Sequence, residues 1–137
     1  MNIDILKSKI ELISNNIKNL EKIFPKSFDD FQNNEDNKAA TERYFQIIVD
    51  SMVDCNQKII EDNNWEEGNT YFKTFGNLLG KSIFNNELLE NLSYCVGTRN
   101  AIVHRYESIQ LMREYEDIKK FMPMFKQYLN IISNKYL

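Results

Sequence analysis

The sequence predicts an all-α protein, a four-to-five-helix up-down bundle. Three observations predict it. Four long segments carry apolar residues at every third or fourth position. Helix-breaking residues are scarce, with four Gly and two Pro in 137 residues. Most links between the segments are short, as antiparallel neighbours require. With 42% hydrophobic and 27% charged residues, the chain suits one helical domain spanning 1–137. No internal repeat or low-complexity tract divides it.

Ile3, Leu6, Ile10, Ile13, Ile17, Leu20 and Phe24 define a first helix. Pro25 ends it, because the residue before a proline disfavours helical geometry. Residues 25–37, rich in Asp, Asn and Ser, read as a loop. From Lys38 a second helix places Phe45, Ile48, Met52, Cys55 and Ile59 on one face and fades at Asp62-Asn63-Asn64. Residues 65–84 form a connector with a short helix capped by Thr70. A third helix runs from Glu87 to Tyr106. The fourth carries Leu111, Tyr115, Ile118, Met122, Phe125, Leu129, Ile132 and Tyr136, with Ser108 as a plausible cap. Pro123 removes one amide donor within it, so this last helix is expected to kink or break there.

The third helix holds the chain's chemistry. At about 100° per residue, Leu88, Leu92, Cys95, Arg99, Ile102 and Tyr106 fall on one stripe. A guanidinium is costly to desolvate alone, so Arg99 needs a partner on that stripe. The ordinary partner is an intrachain acid, with Asp50 or Asp54 on the second helix as candidates. Ser93, Gly97, Asn100 and His104 form a second, small or polar stripe. His104 is the only histidine. A lone histidine late in a helix is commonly structural, but Asn100 stands four residues before it, where it can orient the imidazole or contact the same phosphate. Gly97 in a helix interior suggests a close approach, by a ligand or merely a neighbouring helix. Tyr106 reads in bland terms as a core aromatic with its hydroxyl at the rim. Glu66, Glu67 and Asp117 read as solvated charge.

Arg99, Asn100, His104 and Tyr106, in the order Arg-Asn-x3-His-x-Tyr, resemble the signature of HEPN domains, small helical domains of many prokaryotic ribonucleases and toxins. The similarity is closer to their HepT-like branch, toxins paired with a minimal, MntA-type nucleotidyltransferase antitoxin. It extends from about Lys38 to Ile132. Residues 70–80 are similar to that branch's Ser-Tyr-x3-Phe-x2-Leu segment, residues 92–106 to its arginine-histidine helix, and residues 121–125 to its Leu-Pro-x-Leu turn.

The resemblance implies an endoribonuclease toxin in which Arg99 and His104 carry the reaction and Asn100 supports them. It also implies that an acid of the second helix orients the arginine, and that the antitoxin transfers AMP to the motif tyrosine, here Tyr106. Cleaving RNA without metal needs a base for the 2′-hydroxyl proton, an acid for the leaving 5′-oxygen and a cation for the phosphorane. One histidine cannot fill both proton-transfer roles at once. A two-fold homodimer placing two copies of Arg99, Asn100 and His104 around one cleft would, and the resemblance implies that arrangement. The competing reading is a non-catalytic module that binds a nucleotidyltransferase or nucleotide. A purely structural bundle leaves Arg99 unexplained.

Composition narrows the alternatives. Net charge is −3, which counts against a broad basic nucleic-acid surface and confines RNA binding to a local cleft between Arg99 and Arg105. No stretch approaches the ~18 consecutive apolar residues of a membrane span, and Met1-Asn2-Ile3-Asp4 does not open a signal peptide. A cytoplasmic protein with reduced, buried Cys55 and Cys95 is expected. Two cysteines and one histidine do not supply a zinc site, so neither metal nor cofactor is expected.

Overall fold

A computed structural model of the chain describes residues 3–104 and 110–137, and Ser108 and Tyr106 lie outside them. The described residues form seven helices and no strand: α1 (Ile3–Ile23), α2 (Phe28–Asn33), α3 (Glu35–Asp62), α4 (Tyr71–Gly76), α5 (Asn86–Ser93), α6 (Cys95–His104) and α7 (Leu111–Tyr136). In the bundle α1 packs on α3, α3 on α6, α6 on α7 and α7 back on α1. That closed ring leaves α3 and α7 on a diagonal, and their largest side chains meet between the helices. Phe45 of α3 lies 5.5 Å from Phe125 of α7 by ring centroid, both fully buried.

The apolar stripes are the core. Leu6, Ile10, Ile13, Ile17 and Leu20 of α1 are buried, as are all five residues on the expected face of α3. Along α7, Tyr115, Ile118, Phe125 and Ile132 are buried together with Phe121 and Tyr128, which widen its apolar face beyond the simple stripe. Cys55 and Cys95 are buried free thiols.

Three local expectations are corrected. Residues 25–37 are not simply a loop. Ser27 caps α2 by accepting from the Asp30 amide at 3.2 Å, and Asn34 caps α3 by accepting from the Asn37 amide at 3.0 Å. The anchor is Phe31, fully buried beneath Tyr115, whose hydroxyl donates to the Pro25 carbonyl at 2.8 Å.

The arginine-bearing helix is divided at Tyr94. The Ser93 hydroxyl donates to the Glu90 carbonyl at 2.6 Å, and the Gly97 amide bonds the Tyr94 carbonyl only three residues back. Such tightened bonds and back-bonded serines bend a helix. Of the kink or break expected at Pro123, a break is absent, since α7 continues as one helix; Pro123 is exposed, so the Lys119 carbonyl deprived of its donor is placed to meet solvent. The N-cap of α7 is Gln110 rather than Ser108, and Gln110 makes no side-chain capping bond.

Candidate functional site

Three elements converge on Arg99: α6, which carries it; α3, which brings Asp50; and α4, which brings Tyr71. Arg99 Nε donates to Asp50 Oδ1 at 2.9 Å, and its Nη1 donates to Asn100 Oδ1 at 3.1 Å. The guanidinium carbon sits 4.8 Å from the Tyr71 ring centroid, within the range of a cation–π contact. The Arg99 side chain is 17% exposed and that of Asp50 32%, so the pair lies at the edge of the core rather than inside it.

Tyr71 also stands beside Asp50. Burial first, and then the negative charge of Asp50, hold the Tyr71 phenol above its ordinary value, while Arg99 acts in the opposite direction. The phenol therefore stays protonated beside the carboxylate. Arg99 is thus held by Asp50 on its Nε edge and covered by Tyr71 on one face of its guanidinium plane. A guanidinium has five N–H donors, and among the described residues Asp50 and Asn100 engage two of them. The remaining fork is suited to bidentate contact with phosphate.

Asp54, the other candidate partner, is directed elsewhere. One turn beyond Asp50 on α3, it pairs with Lys9 of α1 at 2.9 Å. Asn100 is engaged through its oxygen, which accepts from Arg99. His104 is the exposed last residue of α6. Five residues on from Arg99, it lies about 7.5 Å further along the helix axis and about 140° around it. The structure thus gathers Arg99, Asn100 and Asp50, and holds His104 on the same short helix. Tyr106 falls outside the described residues.

A Cβ on Gly97 would meet nothing within 4 Å. Among the described residues no neighbouring helix crowds that glycine, so of the two expected reasons for it the packing one is absent. Gly97 borders a groove of about 610 Å³ between α6 and α7, with Thr98, Ala101, Arg113 and Asp117 among its lining residues. Asp117 accepts from Thr98 Oγ1 at 3.3 Å and lies 3.9 Å from Arg113. The groove does not include Arg99 or His104. Among the described residues, no group of three or more His, Cys, Asp or Glu is placed to hold a metal ion. None of the helices searched is long and apolar enough to cross a membrane.

Tyr71 is the residue that the helical periodicity misses. Its local signal is the cap at Thr70, which accepts from the Lys73 amide at 3.2 Å and starts α4 so that position 71 opens the helix. That the ring then reaches a guanidinium on α6 is a tertiary fact with no sequence period behind it.

A helical bundle with an acid-braced arginine and a histidine on one short helix defines a class, and comparison with known proteins gives it a family. Residues 13–132 match the family model described as ribonuclease HepT-like, and the chain belongs to that family. The tRNA nuclease HepT of Aphanizomenon flos-aquae (strain 2012/KM1/D3) is 28% identical over 133 residues, covering 97% of this chain and 90% of that protein. The fold is shared with the tri-AMPylated HEPN toxin of Shewanella oneidensis, solved in complex with its MNT antitoxin. The TM-score is 0.86 at 22% identity, over 98% of this chain and 99% of that one. It is shared too with YutE, a cytosolic protein of unknown function from Bacillus subtilis, at a TM-score of 0.82 and 11% identity, over 98% and 90% of the two chains.

Proposed function

We propose that this chain is a toxin endoribonuclease that cleaves RNA without metal at a composite site formed by two copies. The observation that carries the reading is the bracing of Arg99 by Asp50 and Tyr71, with part of its donor fork unengaged among the described residues. An arginine serving only to neutralise Asp50 would need no such second support. Family membership and the tRNA nuclease activity of the relative point the same way.

In this reading Arg99 binds the non-bridging oxygens of the scissile phosphate and offsets the charge of the phosphorane. One imidazole takes the proton of the 2′-hydroxyl, whose oxygen attacks phosphorus. The second copy's imidazole gives a proton to the departing 5′-oxygen. The products are a 2′,3′-cyclic phosphate and a 5′-hydroxyl, and DNA is not cut. Asn100 keeps the guanidinium turned toward the phosphate. The cognate nucleotidyltransferase silences the site by moving AMP from ATP to the Tyr106 oxygen, releasing pyrophosphate. Complexes of related toxins with such antitoxins support this arm.

Transfer RNA is the first substrate to try. Cleavage by the unmodified protein should persist in EDTA and leave a cyclic phosphate, and a 2′-deoxy nucleotide at the cut should block it. Light scattering should give twice the 16.3 kDa of one chain. Cleavage that needs magnesium, or a monomer that cuts RNA, would contradict the reading. Absence of any cleavage would favour a binding module.

A further inference from the structure

We propose that Asn56 and Thr74 are positioning residues for Arg99: their buried hydrogen bond locks α4 onto α3 so that Tyr71 meets the guanidinium. For its activity, this inference rests on the ribonuclease reading above.

A run of hydrogen bonds crosses the core diagonal and ends at α4. Tyr128 Oη donates to Asn56 Oδ1 at 2.6 Å, Asn56 Nδ2 donates to Thr74 Oγ1 at 3.3 Å, and Thr74 Oγ1 donates to the Tyr71 carbonyl at 2.8 Å. Tyr128, Asn56 and Thr74 are all 0% exposed. The Tyr128 ring is itself fixed, stacked on Phe84 with centroids 4.8 Å apart and planes within 9°. The last acceptor belongs to the residue whose ring faces Arg99.

Polar groups in an apolar core are costly unless bonded, and apolar side chains of similar volume could fill this space. What a fully bonded network adds is direction: it admits one register of α4 against α3. That matters because α4 has six residues, too few to persist alone. Tyr71 and Thr74 are neighbours on one face of α4, three residues apart. Their partners Asp50 and Asn56 stand six residues apart on α3, about 9 Å along its axis. Two attachment points therefore set both position and tilt of α4. Gly68 reinforces the fit, since a Cβ there would come within 2.8 Å of the Thr74 amide nitrogen.

The test uses Thr74→Val, which keeps the shape and removes the hydroxyl, with Thr74→Ser as the conservative rescue, all in unmodified full-length protein. Two quantities are read: the NMR resonance and solvent exchange of the Arg99 Nε–H, and the rate constant for RNA cleavage at saturating substrate. Thr74→Val should move the resonance, speed its exchange and slow cleavage by about tenfold or more, while Thr74→Ser restores both. In a Tyr71→Ala background, Thr74→Val should slow cleavage no further, because the path to Arg99 is already cut. Thr74→Ala adds no bulk and carries the same expectations should valine prevent folding. An unmoved resonance, an unchanged rate, or an equal further loss in the Tyr71→Ala background would overturn the proposal. If the wild-type protein cuts no RNA, the ribonuclease reading fails and the resonance alone decides the positioning claim.

Discussion

Asp50 of α3 and Arg99 of α6 form a 2.9 Å ion pair across 49 residues of sequence, and Tyr71 of α4 closes over it. The pair fastens the short α6 to the longest helix of the bundle. It also decides which way the arginine presents its other donors.

Asp50→Asn removes the charge that α6 leans on and should cost about 1–2 kcal/mol of stability, discounted from the 3–5 of a fully buried pair because both side chains are partly exposed. RNA cleavage should fall with it. Asp54→Asn breaks an exposed pair with Lys9 and should cost less than about 1 kcal/mol, leaving cleavage intact. Urea unfolding and cleavage assays on both variants check the assignment, and similar losses from the two would contradict it.

Gly97→Ala should stabilise the isolated chain by about 1 kcal/mol, since a helix interior favours Ala and nothing within 4 Å opposes the added methyl. A loss of stability that appears only at concentrations where the protein dimerises would place the second copy against this face.

Burial, followed by repulsion from Asp54, pushes the Cys55 thiol up to about 12 from 9.0, with Lys9 opposing. Burial alone holds Cys95 above the ordinary thiol range. Below pH 9 both the folded and unfolded chains keep these protons, and the stabilising contribution is whole. Above it the unfolded chain releases them first, so stability should fall between pH 9 and 12 by up to about 1.4 kcal/mol per unit per thiol. Urea midpoints from pH 8 to 11 should therefore drop less steeply in a Cys55→Ala/Cys95→Ala variant than in wild type. Equal slopes would show that the thiols do not carry the effect.

Much of this was legible in the chain. The stripes on α1, α3 and α7 located the core because a long helix repeats its buried face often enough to be read. Arg99 was legible as an oddity, a charge on an apolar stripe, and it does carry a partner. Which acid it chose was not legible, since Asp50 and Asp54 are one turn apart and only tertiary packing sends one to Arg99 and the other to Lys9. The short α2 was hidden because one buried residue, Phe31, has no period. Tyr71 was hidden for the same reason.

Regulation is tested at Tyr106. Co-expression with the cognate nucleotidyltransferase should add about 329 Da per AMP to the peptide containing Tyr106 and abolish cleavage. Tyr106→Phe should escape modification and stay active if the phenol takes no part in the chemistry. A partner that silences the protein with no added mass would replace modification by simple occlusion.

Metal-free RNA cleavage by Arg99 and His104 is decided by single-turnover cleavage of tRNA in EDTA with wild-type, Arg99→Ala and His104→Ala proteins. Wild type should cut, and each variant should lose at least about a hundredfold in rate while keeping the helical circular dichroism of the wild type. A folded His104→Ala protein that cuts tRNA at the wild-type rate would contradict the account.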